Sequence, residues 1–582
     1  LSSHSVNDSR FKWVAWGSCG LFAVAVFSQF RVQAFGSGEV IAKAKETKRF
    51  IVSIKDEPKR GRILSADGKV LARDEGAYEL NIQFKSVPHS DGFFLDLGAA
   101  TGISGAEFAE LAARGGKNQS WRTQITGDQK RQIDAIKTKW RADGLSVKVT
   151  GQRAYPMGDE ASSIVGMFRD QLATKGLERS FDKYLTGVEG VSTGLVDRTG
   201  AFLPMRMDGT TVKRKDGADV QLTIDSDLQR VASESVRKAV EGNKADSGIA
   251  IVMDPKTGNV LAMANWPSYD PATGQGPNGK PADVNPAIMS RFEPGSTMKI
   301  LTLAKALDMG VIDESFKVNC EGTLRIGPYH VACVATHGLH HHGVCDTTKA
   351  IAESCNVSAA TWATKIGFDS YLNFIEDMDL VKKGDVGLPF QVSGAVFVEP
   401  VAKLQELMCW GFGQSVSVTP ISLASAFTAI GNNGVRMEPR LIARVDGKET
   451  PIKAGKQVFK ADTTERVLHC MESVLDDKGG TGHKLQIAGY TLAGKTGTAQ
   501  RLGRGQGYVA NFVGFVPSQQ PRAMVLVMID HPTGDRWHGA DVAGPVFSEL
   551  AHAIIGKYAI APTSGTTTAM TKPSATVEVK PR

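Results

Sequence analysis

The apolar positions change period several times along this chain, and the changes divide it into regions. The longest unbroken apolar run comes first, from Trp13 to Phe30, with Arg10 and Lys12 ahead of it and Arg31 closing it. About 18 residues at roughly 1.5 Å each make a helix of about 27 Å, at the short end of what spans a bilayer. Trp13 and Trp16 suit an interfacial position. Two readings fit the run: an uncleaved single-pass anchor, favoured by its length and tryptophan flank, and a cleaved signal peptide ending near Val32-Gln33-Ala34. Either reading exports the rest of the chain. A charged, helix-favouring stretch, GEVIAKAKETKRF within it, then predicts a stalk.

Beyond the stalk, short strand and helix patterns alternate around turns such as Asp67-Gly68. A new region opens near Asp216-Gly217: Val220–Ile224 alternates like a strand, and Asp225 is placed to cap the helix after it. Ile249–Asp254, the turn Pro255-Lys256-Thr257-Gly258 and Asn259–Ala264 predict a β-hairpin. Asn511–Val516 and Ala523–Ile529 predict two late strands, and Ser296–Leu307 and Thr348–Ile366 carry helical periodicity. Strands at both ends of a domain with helices between them indicate an α+β layered fold. The predicted organisation is a cytoplasmic tail (1–12), a transmembrane helix (13–30), a stalk (31–50), a first extracytoplasmic domain (51–215), a second domain (216–560) and a disordered tail (561–582) rich in Thr, Ser, Ala, Lys and Pro.

Composition changes this picture little. With 42% hydrophobic and 22% charged residues among 582, the chain is globular, and two or three folded units suit its length. A net charge of +7 without a dense Lys/Arg block argues against nucleic acid and allows an anionic envelope or membrane surface. Seven cysteines do not make a disulfide scaffold in so long a chain.

The chemistry begins at Glu293-Pro294-Gly295-Ser296-Thr297-Met298-Lys299, where the chain turns at Pro-Gly and enters an apolar helix. Ser296 falls in the first turn, where the helix dipole and unpaired N–H groups favour developing negative charge. Lys299 lies one turn on, on the same face, and a desolvated lysine beside a serine hydroxyl can serve as its base. Alone, this pair reads more readily as a capping serine and a solvated lysine. Two further elements come later in order: Ser354-Cys355-Asn356, and Lys495-Thr496-Gly497-Thr498 in a β-like segment. S-x-x-K, S-x-N and K-T-G together are the signature of active-site-serine β-lactamases and penicillin-binding proteins.

On these motifs the chain resembles the class B penicillin-binding proteins, the peptidoglycan D,D-transpeptidases. Lys59-Arg60-Gly61-Arg62-Ile63 with Asp67-Gly68 and Leu71-Ala72 is similar to the family's first N-terminal signature. Arg153-Ala154-Tyr155-Pro156 with Gly158 and Ala161-Ser162 is similar to its second, and Gly176-Leu177-Glu178 with Asp182, Leu185, Gly187 and Gly190 to its third. Glu293–Thr297, Gly411-Phe412-Gly413-Gln414 with Val418-Thr419-Pro420, and Trp537-His538-Gly539 also fit. The run from Ser180 to Gly187, the Asn243–Gly248 spacing and a compact N-terminal domain lean to the division (septal) type that includes penicillin-binding protein 3.

The resemblance implies a pedestal domain and a transpeptidase-like domain with an antiparallel sheet flanked by helices. It implies that Ser296 attacks the carbonyl between the two terminal D-alanines of a stem peptide, with Lys299 as base and release of D-alanine. Ser354 would relay a proton toward the leaving amine and Asn356 would hold the donor amide. Lys495, Thr496 and Thr498 would bind the terminal carboxylate, and Gly497 would leave the strand open to substrate. The N–H groups of Ser296 and Thr498 would form the oxyanion hole. Penicillin would acylate the same serine, and a membrane glycan polymerase and division proteins are the implied partners.

Between the first two motifs lie Cys320, Cys333, Cys345 and Cys355, in a stretch that also holds His330, His337, His340, His341 and His342. Cys320, Cys333, His342 and Cys355 make a donor set suited to tetrahedral zinc, and some relatives, mostly of the elongation type, are associated with a metal in this region. A disulfide from Cys345 to Cys320 or Cys333, or neither, fits the same residues. No cofactor is needed for the chemistry itself. Glu293, beside the nucleophile turn, reads as structural rather than as a base. The alternatives to a septal transpeptidase are an elongation-type enzyme, a β-lactamase, a carboxypeptidase, and a β-lactam sensor or scaffold without transpeptidase activity.

Overall fold

The computed structural model describes residues 8–34, 51–114, 120–196, 202–204, 212–279, 285–335, 338–501 and 507–563. The expected tail up to residue 7, the stalk beyond Ala34, the C-terminal tail beyond Thr563 and His337 lie outside the described residues. The chain divides into two compact units, one formed by residues 1–59 with 186–217 and the other by residues 60–185 with 218–582.

In the first unit, Asp8–Ala34 is helical, and its segment Lys12–Phe30 is long and apolar enough to cross a membrane. Trp13 and Trp16 stand exposed on it. The same unit holds an antiparallel sheet of Ile51–Asp56, Gly190–Val196 and Phe202–Pro204.

The second unit contains three cores. In the smallest, the long strand Val70–Gln83 pairs with both Ser120–Ile125 and Leu145–Ala154. Helices Asp91–Thr101, Gly105–Arg114 and Gly127–Trp140 bury Phe93, Phe94, Leu97, Phe108, Ile133 and Ile136 with its apolar residues. The start of that strand belongs to the largest core, together with Ile63, Ala161, Ile164 and Leu177. Here the three N-terminal signatures meet. Arg60 Nε donates to Glu178 at 2.7 Å and its Nη1 to Asp182 at 2.6 Å, while Arg153 Nε reaches the other oxygen of Glu178 at 2.7 Å. Arg153 Nη1 adds Asp74 at 3.0 Å, and Glu178 is wholly buried. A buried carboxylate between two guanidinium groups is tolerated because its charge is matched and its lone pairs are filled.

The two larger cores lie on the two faces of an antiparallel sheet of five strands in the order Val260–Trp266, Ser247–Met253, Ala523–Asp530, Tyr508–Val516, Ala493–Gln500. Strand periodicity sorts its side chains: Ile249, Ile251 and Met253 enter one core, Ala250 and Val252 the other. Helices Ser226–Gly242 and Gly544–Lys557 cover the second face. Asp225 caps the first of these through the N–H groups of Asp227 and Leu228, as its position in the sequence predicts. The opposite face carries Pro420–Gly431, buried along its whole length, with Thr419 as N-cap and Pro420 at the first turn.

One predicted element is corrected. The pattern over Thr348–Ile366 reads as a single helix, whereas the structure has two, Thr347–Ala352 and Asn356–Ile366. Ser354 takes the left-handed conformation, φ 63°, and Cys355 becomes the N-cap of the second helix. Apolar periodicity continues across the break because both helices bury the same side.

Candidate active site

Ser296 sits in a short 3-10 turn, Gly295–Thr297, that feeds the helix Met298–Asp308. The turn is held from three sides. Gly295, at φ 57°, donates its N–H to Gly413 O at 3.0 Å. Thr297 Oγ1 donates to Pro294 O at 2.8 Å, and Asn511 Nδ2 approaches the same oxygen at 3.4 Å. Glu293 accepts the Ser415 N–H at 2.7 Å, a structural use of its carboxylate. Glycine is required at Gly413, where a Cβ would come within 2.3 Å of Gly295 O. Ser296 itself is half-buried, and the next helical turn carries Lys299, which is fully buried.

Lys299 Nζ donates to Ser354 Oγ at 3.1 Å and to the Ser354 carbonyl. Burial lowers its pKa to about 8, against an opposing electrostatic pull from the sulfurs of Cys333, Cys355 and Cys320. The left-handed backbone of Ser354, which costs on the order of 1 kcal/mol, is what turns its hydroxyl and carbonyl toward the same amine. Asn356, two residues on, is committed differently: its Nδ2 donates to Ala332 O at 2.9 Å and its N–H to Cys333 Sγ at 3.2 Å. Its amide therefore braces the preceding loop.

Lys495, Thr496, Gly497 and Thr498 lie on Ala493–Gln500, the strand that ends the sheet order and packs on the nucleophile turn. Lys495 is fully buried, and its pKa is pushed well down by desolvation and by the ammonium of Lys299. Its Nζ donates to Thr496 O at 3.1 Å, and Thr496 Oγ1 donates to Thr481 Oγ1 at 2.9 Å. Thr498 Oγ1 accepts the Gly539 N–H at 3.2 Å, which ties Trp537-His538-Gly539 to the strand. Packing also requires glycine at Gly497: a Cβ there would lie 2.1 Å from Asn511 Oδ1, on the paired strand. Asn511 was invisible in the sequence. It is fully buried, it joins the sheet to the nucleophile turn, and its Oδ1 has no hydrogen-bond partner.

The four candidate metal donors also converge. Cys320, Cys333, His342 and Cys355 are all buried, with their donor atoms within 4.8 Å of one another. Cys320 Sγ and Cys333 Sγ are 3.8 Å apart, as are Cys333 Sγ and Cys355 Sγ, and His342 Nδ1 is 3.3 Å from Cys320 Sγ. A tetrahedron with metal–sulfur bonds of about 2.3 Å has S···S edges of about 3.8 Å, so the donors fit a zinc-sized ion. All seven cysteines are unpaired, and Cys345 Sγ faces the carbonyls of His342 and Gly343, so neither alternative disulfide forms. Neighbouring donors pull Cys355 down to about 3, chiefly through a hydrogen bond from Cys333, and raise His342 to about 9.

A serine at a helix entrance, a desolvated amine one turn on and a second serine bonded to that amine are the parts of an active-site-serine acyltransferase. The chain belongs to the penicillin-binding protein transpeptidases: residues 248–552 match the penicillin binding protein transpeptidase domain and residues 55–222 the penicillin-binding protein dimerisation domain. It is 32% identical over 439 residues to the peptidoglycan D,D-transpeptidase FtsI of Escherichia coli, covering 75% of this chain and 72% of that one. It is 30% identical over 452 residues to the probable peptidoglycan D,D-transpeptidase PenA of Neisseria meningitidis, covering 76% of each. Penicillin binding protein 3 of Mycobacterium tuberculosis, solved in complex with aztreonam, superposes with a TM-score of 0.65 at 25% identity over 88% of this chain and 98% of that one.

Proposed function

We propose that this protein is a peptidoglycan D,D-transpeptidase of the division type. The observation that carries the reading is the junction of Lys299 with Ser354, which links the S-x-x-K and S-x-N motifs through one buried amine beside the nucleophile turn. Ser296 Oγ attacks the carbonyl of the penultimate D-alanine and passes its proton to neutral Lys299 Nζ. The proton reaches the leaving D-alanine amine through Ser354, and the C–N bond breaks to give the acyl-enzyme. Lys495, Thr496 and Thr498 hold the terminal carboxylate, and the N–H groups of Ser296 and Thr498 take the oxyanion. An amine from a neighbouring stem peptide then displaces Ser296 and completes the cross-link. In this scheme Asn356 positions the Ala332–Cys333 loop and meets the donor through its amide oxygen and the second N–H of Nδ2. The names of the FtsI and PenA relatives support the reaction, and the aztreonam complex of the structural relative supports β-lactam capture by Ser296.

The Lys12–Phe30 helix anchors the enzyme in the cytoplasmic membrane with its catalytic domain outside, and there it works beside a membrane glycan polymerase and division proteins. Cys320, Cys333, His342 and Cys355 would hold a structural zinc: a site closed by four protein donors leaves no position for substrate. Its contribution is to fix Cys355, and so the turn that presents Ser354. Fluorescent penicillin tests the central reading: it labels the wild type covalently and fails to label Ser296→Ala. Normal labelling of that variant overturns it.

A further inference from the structure

The buried Cys/His set raises a question that its own residues answer: how a cation gets in. Cys320 and Cys355 are fully buried, Cys333 is 3% exposed and His342 7%. Among the four, His342 is the donor nearest to solvent, and its ring has two sides. Nδ1 faces Cys320 Sγ at 3.3 Å, while the other nitrogen, Nε2, lies 3.3 Å from the Glu353 carbonyl. The exposed His340 packs edge-on against the same ring, centroids 4.3 Å apart. One donor atom each from His340, His342 and the half-buried Glu353 lie within 4.8 Å of one another. The group is tied to the inner set by backbone: His340 N–H donates to Cys333 O at 2.8 Å, and Lys349 Nζ donates to His342 O at 2.7 Å.

The geometry points to a metal-loading site at the surface, made of His340, Glu353 and Nε2 of His342, that takes a zinc-class divalent cation and delivers it to Cys320, Cys333 and Cys355. The inference rests on the zinc reading of the inner set. Two nitrogens and a carboxylate bind such an ion less tightly than three thiolates and an imidazole, so transfer inward is downhill. One imidazole does not serve both sets at once. Nε2 would hold the cation in the outer set, and Nδ1, which already faces Cys320, would hold it among the sulfurs. Each thiol that binds gives its proton to solvent, so the charge of the ion is met as it enters. The outer donors are what a buried structural site needs in addition to its ligands: an entry path.

The test uses the full-length protein in detergent, stripped of metal by a chelator under reducing conditions and checked for unchanged circular dichroism. Cobalt(II) is added in a stopped-flow instrument, and uptake is read from the thiolate-to-cobalt charge-transfer absorption. The double variant His340→Ala with Glu353→Gln takes up cobalt on the order of tenfold more slowly, as expected when a capture site is removed. Its final absorption and metal content match the wild type, and His341→Ala, an exposed neighbour, keeps the wild-type rate. By reversibility the double variant also loses metal more slowly to a competing chelator, a measurement that needs no metal-free protein. Equal rates overturn the loading site, and so does a loss of metal at equilibrium, which would make His340 or Glu353 a support of the inner set. No charge-transfer band in the wild type rejects the zinc reading itself, whatever the variants do.

Discussion

Lys299 Nζ donates to Ser354 Oγ at 3.1 Å from a position with no exposure to solvent. One amine thus meets the side chain of the second motif while standing one turn from the first. The relationship has a functional meaning because burial, the largest influence on this amine, favours its neutral form. An ammonium cannot accept the Ser296 proton, whereas an amine with a pKa of about 8 can, in a useful fraction of molecules near neutrality.

Acylation should therefore depend on pH in a definite direction. The base is active when deprotonated, so the second-order rate of labelling by penicillin rises about tenfold per pH unit below the Lys299 pKa and levels off above about 8. Lys299→Arg keeps the charge, cannot shed it, and loses labelling by at least about a hundredfold. Stopped-flow labelling between about pH 6 and 9 checks this. A flat profile for the wild type removes Lys299 from the role of base.

Gly497 and Asn511 form a pair that can be separated by mutation. A methyl at Gly497 would fall 2.1 Å from Asn511 Oδ1, so Gly497→Ala destabilises the protein by about 1–3 kcal/mol through overpacking. Asn511→Ala alone releases the Pro294 carbonyl and slows acylation. Combined, the two substitutions recover the stability lost by Gly497→Ala, because the colliding atom is gone. Denaturant midpoints of the four proteins give the coupling; strict additivity contradicts it.

Residues that the sequence reveals and residues that it hides meet in this one site. Ser296, Lys299, Ser354 and the Lys495–Thr498 strand were legible because acyl transfer demands particular residue types at short fixed spacings, within one helical turn or along one strand. The hairpin at Pro255–Gly258 and the cap at Asp225 were legible for the same local reason. Asn511 was not, since it acts on Pro294, more than two hundred positions away, and does not belong to a residue type that announces chemistry; Gly413 stood in a family-like run, but its contact with Gly295 did not show there. The break at Ser354 was hidden because both helices continue one apolar face. The metal donors, His342 among five histidines included, could be nominated from residue type and resemblance, but their convergence depends on the path of an irregular loop, which periodicity does not describe.

The ion network that joins the N-terminal signatures gives a stability prediction. Glu178 is buried between Arg60 and Arg153, so Glu178→Gln leaves two guanidinium groups short of their counter-charge and costs about 3–5 kcal/mol. Asp182→Asn costs less, because Asp182 is 48% exposed in its side chain and water replaces part of what it supplies. Thermal unfolding of the detergent-solubilised proteins should rank Glu178→Gln well below Asp182→Asn, and the reverse order contradicts the buried-carboxylate account.

Metal removal tests how the Cys/His set bears on catalysis. Purified wild type should carry one zinc per chain, and Cys333→Ser should carry none, since a serine hydroxyl does not replace one of only three thiolate ligands. The effect reaches the active site through two covalent steps. Cys355 is the N-cap of the Asn356–Ile366 helix and the neighbour of Ser354, whose left-handed backbone holds only if its surroundings impose it. Without the ion, Cys355 loses part of that hold, Ser354 relaxes toward ordinary backbone, and the contact with Lys299 lengthens. Chelated protein should therefore acylate more slowly with penicillin, recover with zinc, and melt at a lower temperature. Cys345→Ser, whose thiol lies outside the set, should change none of the three. Full acylation by metal-free protein would confine the cluster to a role in stability.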